Sequence, residues 1–452
     1  DRDRFGASIA IDGNRLVVGA PRVESNGAKS GAIYSYLFDG TSWVFPQRTG
    51  NPYMGSRTAN SIKFFNTKQY GTYVTGEPSN LSFFSIANGD WAAPACWSTE
   101  RFGGTPTTIE PTTNSYVYIG DDKTISVTAN KTNDLLLNVD STGVIDLQNN
   151  NFVDGTGEFR LNRFGEMQIA HFQGITATGS NSGAIRMGTR DYNVSNHNRG
   201  IFEYTGSSGQ SIGAGLPDNV FRLFVNKDIG TSLTFNQSSK TILDSLYVKS
   251  GDFTYNTSFT IQGNVRRSLG AGFAYTSTPI IEFSGDSTQY INDEAVDSLR
   301  LYSVRLNKNI GNLILEDNSP LDIVDQLNFQ GSNNGIIYAR KPGNFVIVRG
   351  TVNRTGQGHI NGELIKNLPA GDAAQVTFEV GDTLYYSPFY LDMRSGTGST
   401  AGFLSINVVP EDYPYLADAI ITTTNPPVYP GRIVHRYWRL TKPVWSNFVR
   451  GT

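Results

Sequence analysis

The residues whose types and spacing come nearest to a catalytic group lie between positions 286 and 305. Four carboxylates and two guanidinium groups fall in this segment: Asp286, Asp293, Glu294, Asp297, Arg300 and Arg305. Enzymes that cleave polysaccharides set two or three carboxylates, or carboxylates beside Lys or Arg, around the scissile bond. A solvated loop crossed by a few salt bridges explains the same residues, and the sequence favours that simpler interpretation.

The other side chains capable of chemistry do not form a recognisable site. Histidine occurs at four positions, none paired at the spacing of metal ligands: His171, His197, His359 and His435. Because zinc sites draw on closely spaced His and Cys ligands, we predict no metal site and no cofactor. Cys96 is the single cysteine, and a nucleophilic thiol needs a nearby base. We predict a buried structural thiol at Cys96 and assign no catalytic residue.

Two tyrosine-rich segments offer another kind of chemistry, the stacking of sugar rings on aromatic faces. They are Tyr385-Tyr386 and Tyr413-Pro414-Tyr415. Interior packing explains aromatic residues in strand-rich chains equally well. Both interpretations stay open from the sequence.

The elements that must position these side chains repeat along the chain. Three segments recur in one order, with offsets of 280 − 201 = 79 and 307 − 226 = 81 residues: 201–206 at 280–285, 226–230 at 307–311 and 242–246 at 323–327. Self-similarity at a fixed period marks a chain of stacked units that share one core. Glu203 and Glu282 fall at equivalent positions, so we predict a structural or edge-protecting role for both.

The repeat predicts a parallel β-helix, a solenoid of short strands. An 80-residue unit divides into about four coils of roughly 20 residues, stacked about 4.8 Å apart. On that basis residues 85–345 form about thirteen coils of a right-handed helix. Open ends of such a rod invite pairing with other chains, so each end needs a cap. The segment with Trp91 and Trp97 is predicted to be the N-terminal cap.

Composition agrees with an all-β protein and excludes several partners. The 452 residues include 48 glycines, only 17% are charged, and the net charge is −3. This is the profile of short strands joined by tight turns. Without a basic patch, nucleic acid is not expected as a partner. No apolar run approaches the roughly 20 residues of a membrane-spanning helix.

The N-terminal 48 residues resemble an FG-GAP repeat, the blade unit of integrin-type β-propellers. The matching residues are Phe5-Gly6, Gly19-Ala20-Pro21 and Gly31-Ala32-Ile33-Tyr34. In that family the loop after the second motif often binds calcium through aspartates. Residues 22–27 read Arg-Val-Glu-Ser-Asn-Gly here, which leaves out most of the carboxylates that a calcium site requires.

The segment from about residue 82 to residue 440 resembles adhesin-like β-helix proteins of the Bacteroidota cell surface. The motifs are Asn88-Gly89-Asp90-Trp91 with Trp97-Ser98, Asn312-Leu313-Ile314-Leu315, the block 352–386, and Arg436-Tyr437-Trp438-Arg439-Leu440. The resemblance implies export by the type IX secretion route and display on the cell surface or release. It also implies an outer-membrane secretion or anchoring protein as a partner.

Short Asp-Ser/Thr-apolar triplets resemble the O-glycosylation signal that Bacteroidota use on exported proteins. The candidate sites are Ser245, Ser298 and Thr383, with Ser287 and Ser141 in looser matches. The alternative is that these are turn residues favoured by local hydrogen bonding.

Together these observations predict an all-β extracellular protein in four parts. They are an FG-GAP-like blade at 1–48, a linker or degenerate blade at 49–84, a parallel β-helix at 85–345 and a β-sandwich-like module at 346–452. We expect the given chain to be a piece of a longer secreted bacterial protein.

The expected function is structural or adhesive, a rod-like stalk that presents binding faces. Its ligands would be carbohydrate or another cell-surface molecule, and it could self-associate. The alternatives are a polysaccharide lyase or glycoside hydrolase of the β-helix type, and a secreted cargo bound to an outer-membrane carrier.

Overall fold

The computed structural model describes most of the chain beyond residue 80. The described residues are 6, 8–12, 15–20, 32–38, 42–44, 80–192, 199–330, 335–368, 375–392, 402–412 and 435–441. The chain separates into two compact units, residues 1–81 and residues 82–452. The loop 22–27, where the sequence lacks a calcium motif, falls outside the described residues.

The first unit contains a four-stranded antiparallel sheet in which each strand pairs with the next in sequence. Its strands are β1 (Ser8–Asp12), β2 (Arg15–Ala20), β3 (Ala32–Phe38) and β4 (Trp43–Val44). Neighbouring residues of a strand point to opposite faces of the sheet. Val18 is buried, whereas Ile9 and Ile11 are exposed. The sheet therefore has the up-and-down topology expected of one propeller blade.

Where it is described, the second unit consists of short strands and turns, with one short 3-10 segment at Pro94–Cys96. Its first strands are β5 (Ser82–Ser85), β6 (Gly89–Asp90), β7 (Trp97–Ser98), β8 (Tyr116–Ile119), β9 (Thr124–Val127), β10 (Lys131–Thr132), β11 (Leu136–Val139), β12 (Val144–Leu147), β13 (Val153–Asp154), β14 (Glu158–Leu161), β15 (Glu166–Ile169), β16 (Thr189–Asp191), β17 (Ile201–Gly206), β18 (Gln210–Ser211), β19 (Asn219–Lys227), β20 (Ser232–Phe235), β21 (Thr241–Ser250) and β22 (Asp252–Tyr255).

The strands that follow complete the unit. They are β23 (Phe259–Ile261), β24 (Asn264–Arg267), β25 (Gly272–Tyr275), β26 (Ile280–Ser284), β27 (Gln289–Asp293), β28 (Leu299–Asn307), β29 (Leu313–Leu315), β30 (Leu321–Gln330), β31 (Ile336–Ala339), β32 (Val346–Val348), β33 (Thr351–Arg354), β34 (His359–Gly362), β35 (Leu364–Leu368), β36 (Gln375–Phe378), β37 (Phe389–Asp392), β38 (Gly402–Val409) and β39 (Tyr437–Thr441).

Most of these strands pair in parallel with strands of the next coil, which makes the unit a parallel β-solenoid of about 11 turns. The prediction of an all-β solenoid is confirmed. Many strands bury every second residue, as in β9, β12 and β15. Parallel register then stacks like residues in one inward column: Ile125, Ile145, Met167, Phe202 and Leu223. All five are at most 1% exposed, so successive coils share one continuous apolar core.

From β19 onward three ladders of parallel strands can be followed. Ladder 1 contains the starts of β19 and β21, then β23, β26, the ends of β28 and β30, and β33. Ladder 2 contains β9, β12, β15, β17, the ends of β19 and β21, then β24, β27, β29, β31 and β34. Ladder 3 contains β18, β20, β22 and β25.

Coil length varies more than the sequence predicted. Ile125 pairs with Ile145, a coil of 145 − 125 = 20 residues. Val265 pairs with Ile291, a coil of 291 − 265 = 26 residues. Longer coils reduce the number of turns that fit, so the expectation of about thirteen coils of roughly 20 residues is replaced by about 11 turns.

Antiparallel strands flank both ends of the parallel ladders. At the N-terminal end β5 pairs antiparallel with β7, and Trp91 and Trp97 are buried with ring centroids 5.7 Å apart. The indole Nε1 of Trp97 donates to the carbonyl of Trp91 at 2.8 Å.

The parallel pairing continues past residue 345, the predicted boundary, as far as β35, which pairs in parallel with β32. β38 then pairs antiparallel with β35, and β39 with β38. Antiparallel strands thus occupy an edge that the parallel ladder would otherwise leave open.

Candidate functional site

The carboxylates between 286 and 305 do not come together in one group. Arg267 makes a bidentate pair with Asp293 at 2.7 Å for both bonds and contacts Asp297 at 3.0 Å. Burial is the main influence on Asp293 and raises the pKa of that carboxyl, although the hydrogen bonds from Arg267 oppose the rise. Glu294 pairs with Arg266 at 2.6 Å.

The two predicted guanidinium groups are also committed to ion pairs. Arg300 donates to Asp322 at 2.9 Å, and Asp322 is fully buried beneath it. Arg305 donates to Glu282 at 3.0 Å. The salt-bridge interpretation of this segment therefore fits the structure better than a catalytic cluster. Each of these cations joins a carboxylate from another coil, which is a way to tie coils together.

Glu203 lies at a corner of the solenoid that also contains a buried lysine. Its carboxylate accepts from Asn226 Nδ2 at 2.7 Å. The neighbouring Lys227 is only 2% exposed, and its Nζ donates to the Thr205 carbonyl at 2.8 Å and to Gln210 Oε1 at 2.9 Å. The ammonium group is thus held by neutral oxygens. Burial lowers the pKa of Lys227 to about 8.

Glu282 lies at a second corner with the same contacts. Its carboxylate accepts from Asn307 Nδ2 at 3.0 Å. Lys308 is fully buried and donates to Gln289 Oε1 at 2.7 Å and to the Ser284 carbonyl at 3.3 Å. Burial lowers the pKa of Lys308 to about 8 as well. Repeated contacts of this kind support the predicted structural role of both glutamates.

The two corners lie in different ladders. The first links β19 in ladder 2 to β20 in ladder 3, and the second links the end of β28 in ladder 1 to β29 in ladder 2. The sequence repeat is therefore not a whole number of coils. A repeat of four complete coils would return to the same ladder, and this one ends one ladder before that point.

The histidines and the cysteine have structural surroundings where they are described. His171 and His359 are buried, His435 is paired with Asp412, and His197 lies outside the described residues. Cys96 is buried, and burial raises the pKa of its thiol. Among the described residues no group of three or more His, Cys, Asp or Glu side chains could hold a metal ion.

The candidate glycosylation sites differ in exposure. Ser141, Ser287 and Thr383 are exposed, Ser245 is half-buried and Ser298 is buried. A folded substrate would offer the first three to a glycosyltransferase more readily than Ser298. Modification of these residues stays a prediction.

The tyrosines proposed for sugar stacking lie beside cations. The guanidinium of Arg354 lies 3.5 Å from the ring centroid of Tyr386, and that of Arg436 lies 4.8 Å from that of Tyr385. Tyr385 is 57% exposed. Tyr413 and Tyr415 lie outside the described residues.

One pair of carboxylates that the sequence did not single out lies on ladder 2. Burial raises the pKa of Glu166, and its contact with Glu203 raises it further. Glu203 is itself held by Lys249 at 3.0 Å. Because Glu203 is bound by Lys249 and Asn226, we assign this pair to contacts between coils.

The largest irregularity in the ladders is an insertion between β15 and β16. Glu166 pairs with Ile201, so this coil takes 201 − 166 = 35 residues. Residues 170–188 of the insertion are anchored by the buried side chain of Arg190. Its guanidinium donates to the carbonyls of Thr176 at 2.7 Å, Ala177 at 3.0 Å and Ser180 at 2.9 Å. These bonds fix one conformation of a segment that lacks ladder partners over much of its length.

The insertion forms a cleft of about 390 Å³ against two earlier strands. Its lining residues are Thr132, Asp154, Gly155, Asn181 and Arg186. Thr132 ends β10 and Asp154 ends β13, two strands that pair in parallel. The hydroxyl of Thr132 donates to Asp154 at 2.5 Å. The wall therefore offers an acid, a guanidinium, an amide and a hydroxyl.

Two features fix the wall of the cleft. Gly155 has a φ of +119°, and a Cβ there would lie 2.2 Å from the carbonyl oxygen of Asn133. Only glycine fits that close approach. The guanidinium of Arg186 lies 3.3 Å from the ring centroid of Phe152, which fixes its plane.

An exposed aromatic ring is linked to the lining residue Arg186 through His171. Arg186 Nη2 is 3.3 Å from Nε2 of His171, and the imidazole stacks on Phe172 with centroids 5.1 Å apart. Phe172 is 50% exposed. Burial, aided by Arg186, lowers the pKa of His171 to about 4, so the ring is neutral at physiological pH.

The sequence reasoning missed this cleft. The available signal was a break in the strand rhythm between Ile169 and Thr189, where glycines recur at 174, 179, 183 and 188.

Comparison with known proteins places one part of the chain. The family model of the FG-GAP repeat matches residues 1–38, which confirms the predicted resemblance of the first segment. No curated protein sequence matches the chain, and no solved structure does.

FG-GAP repeats are typical of extracellular and cell-surface proteins. Together with a β-solenoid, such a repeat fits an extracellular adhesive or structural protein in general. Among the described residues, no helix has the length and apolar character needed to cross a membrane.

Proposed function

We propose that this chain is an extracellular structural and adhesive protein in which the solenoid is a stiff stalk that presents binding faces. The observation that carries the proposal is the continuous parallel register, with a shared core through about 11 turns. Ladder hydrogen bonds run from coil to coil, and each coil buries the apolar face of the next. Bending the stack would open that core.

Ion pairs between coils support the same function. Arg267 with Asp293 and Arg349 with Asp322 join residues 26 and 27 positions apart, so each links two neighbouring coils. Breaking a buried pair by removing one partner leaves an unpaired charge, which costs about 3–5 kcal/mol. Such links favour cooperative unfolding of the whole stack over the separation of single coils.

Adhesion under flow tests the proposal. Beads carrying the full 452-residue chain are passed over cell surfaces and over polysaccharide-coated surfaces, beside beads carrying an inert protein of similar charge. Retention of the chain-coated beads at shear rates that remove the control beads is expected. Equal removal from every surface would overturn the adhesive function.

We further propose a bacterial cell-surface location reached by the type IX route, with an outer-membrane protein as the carrier or anchor. The resemblance to Bacteroidota adhesin-like proteins supports this step. Fractionation of the producing cells, with and without a working type IX translocon, tests it. The chain should leave the cell surface and accumulate inside when the translocon is lost.

A further inference from the structure

We propose that the cleft between the insertion 170–188 and the ends of β10 and β13 binds a neutral saccharide unit. The proposal rests on the adhesive function and names the ligand class of one binding face. The cleft measures about 390 Å³, within the roughly 300–1,000 Å³ usual for small-molecule sites. Its groups and its rigidity together decide the ligand class.

The lining groups match the hydroxyls of a sugar. Asp154 accepts hydrogen bonds and Arg186 donates them, while Asn181 can do both. Adjacent sugar hydroxyls are each donor and acceptor, so a carboxylate beside a guanidinium and an amide can bind a pair of them. Phe172, half exposed beyond His171, offers a ring face to the apolar side of a sugar.

Other ligand classes fit less well. Asp154 and Arg186 oppose each other in charge, so the cleft has no excess of positive charge for a phosphate. It contributes one carboxylate, whereas a divalent cation needs several oxygen ligands. The strands at its wall, β10 and β13, already pair with each other, so a peptide would not find both their edges free.

The cleft is preorganised, which is the second reason to treat it as a site. Arg190 binds three carbonyls of the insertion, and Phe152 fixes the plane of Arg186. Glycine at 155 lets the chain at Asn133 in the preceding coil pack directly against this turn. A rigid site loses little conformational entropy on binding, so even a few hydrogen bonds give measurable affinity.

The test uses the full chain and immobilised oligosaccharides. The panel holds neutral hexose oligosaccharides, uronate-containing oligosaccharides and inorganic phosphate as a soluble competitor. The variants are Asp154→Asn and Arg186→Lys, which keep shape or charge, and Arg266→Lys, which alters an exposed ion pair elsewhere. Circular dichroism and thermal unfolding confirm that each variant folds.

We expect the wild type and Arg266→Lys to bind the neutral oligosaccharides equally. Asp154→Asn and Arg186→Lys should each weaken binding tenfold or more, and phosphate should not compete. Equal binding by the cleft variants, absence of binding by the wild type, or a preference for uronates or phosphate would overturn the inference. If the wild type binds no oligosaccharide while its beads are still retained under flow, the adhesive function stands and only this site is overturned.

Discussion

The regular coils and the insertion 170–188 achieve order by different means. In the coils, parallel register stacks like residues, so that Phe253 packs against Phe235 and Phe273 from neighbouring coils. In the insertion, one guanidinium, that of Arg190, holds a stretch of irregular backbone through carbonyl contacts. Periodic packing makes the coils insensitive to any single polar group. The insertion depends on one such group, that of Arg190. It can therefore adopt an irregular backbone conformation that a ladder of parallel strands does not allow.

The largest effect should come from opening the core of the coils. Phe253→Ala removes a fully buried ring that contacts four other aromatic rings. We expect the free energy of unfolding to fall by about 3–5 kcal/mol. Urea unfolding monitored by circular dichroism measures it. Phe172→Ala is the matched control, because that ring is half exposed and its loss should cost under about 0.5 kcal/mol.

The next largest effect should come from replacing Arg190, the side chain that anchors the insertion. Arg190→Met keeps the apolar stem and removes the donor to three carbonyls of half-buried or exposed residues, which water can partly solvate, so the total cost should be about 1–3 kcal/mol. The cost should appear as local opening. Hydrogen exchange should accelerate in residues 170–190, while amides of β20 and β22 keep their protection. Uniform acceleration in both regions would show that the insertion and the coils unfold as one unit.

The two buried-lysine corners give a pH dependence that belongs to the coils. Both lysines have a folded pKa near 8, below the unfolded value of 10.5. Between these values the unfolded chain binds more protons, so stability rises with pH. From pH 8 to 9.5 each lysine should add about 1–2 kcal/mol. Urea midpoints across this window measure the slope.

The double variant Lys227→Met/Lys308→Met is the control for that slope. Methionine keeps most of the buried stem and has no titrating group. If the corners are hydrated, or if their lysines keep a normal pKa, the wild type and the variant should show the same dependence of stability on pH. Each single variant should remove about half of the difference, because the two corners make the same contacts.

The smallest effect concerns Glu166, in the last ladder strand before the insertion. Its folded pKa is raised, so its contribution to stability is fully present below the unfolded pKa of 4.5 and is lost as pH rises through the folded pKa. Glu166→Gln should therefore raise the free energy of unfolding at pH 7 and leave it nearly unchanged at pH 4. Glu158→Gln, at a more exposed pair with Arg160, should instead cost under about 1 kcal/mol at pH 7.

The sequence predicted the solenoid from its repeat of about 80 residues, because stacked units need like residues at like positions. The structure shows the same rule from coil to coil, in the column of Ile125, Ile145 and Met167. The sequence did not predict that the repeat falls one ladder short of four coils. The match arises from corner contacts such as Lys227 with Gln210, and these do not depend on which ladder holds them.

The candidate site was not predictable for a different reason. Thr132, Asp154 and Arg186 come from successive coils, and only the coil register and the insertion bring them together. The same limitation affected the acidic segment at 286–305. Its carboxylates look free in the sequence, but Asp293 is bound by Arg267 from the preceding coil.

The displacement of the buried-lysine corner by one ladder has a geometric consequence. If a unit of this spacing were copied again, its corner would move to the remaining side of the coil. Three copying steps would return it to the starting side. Surface groups at fixed positions in the unit would then be arranged helically around the axis. A long array would therefore present the same chemistry on every side instead of along one stripe.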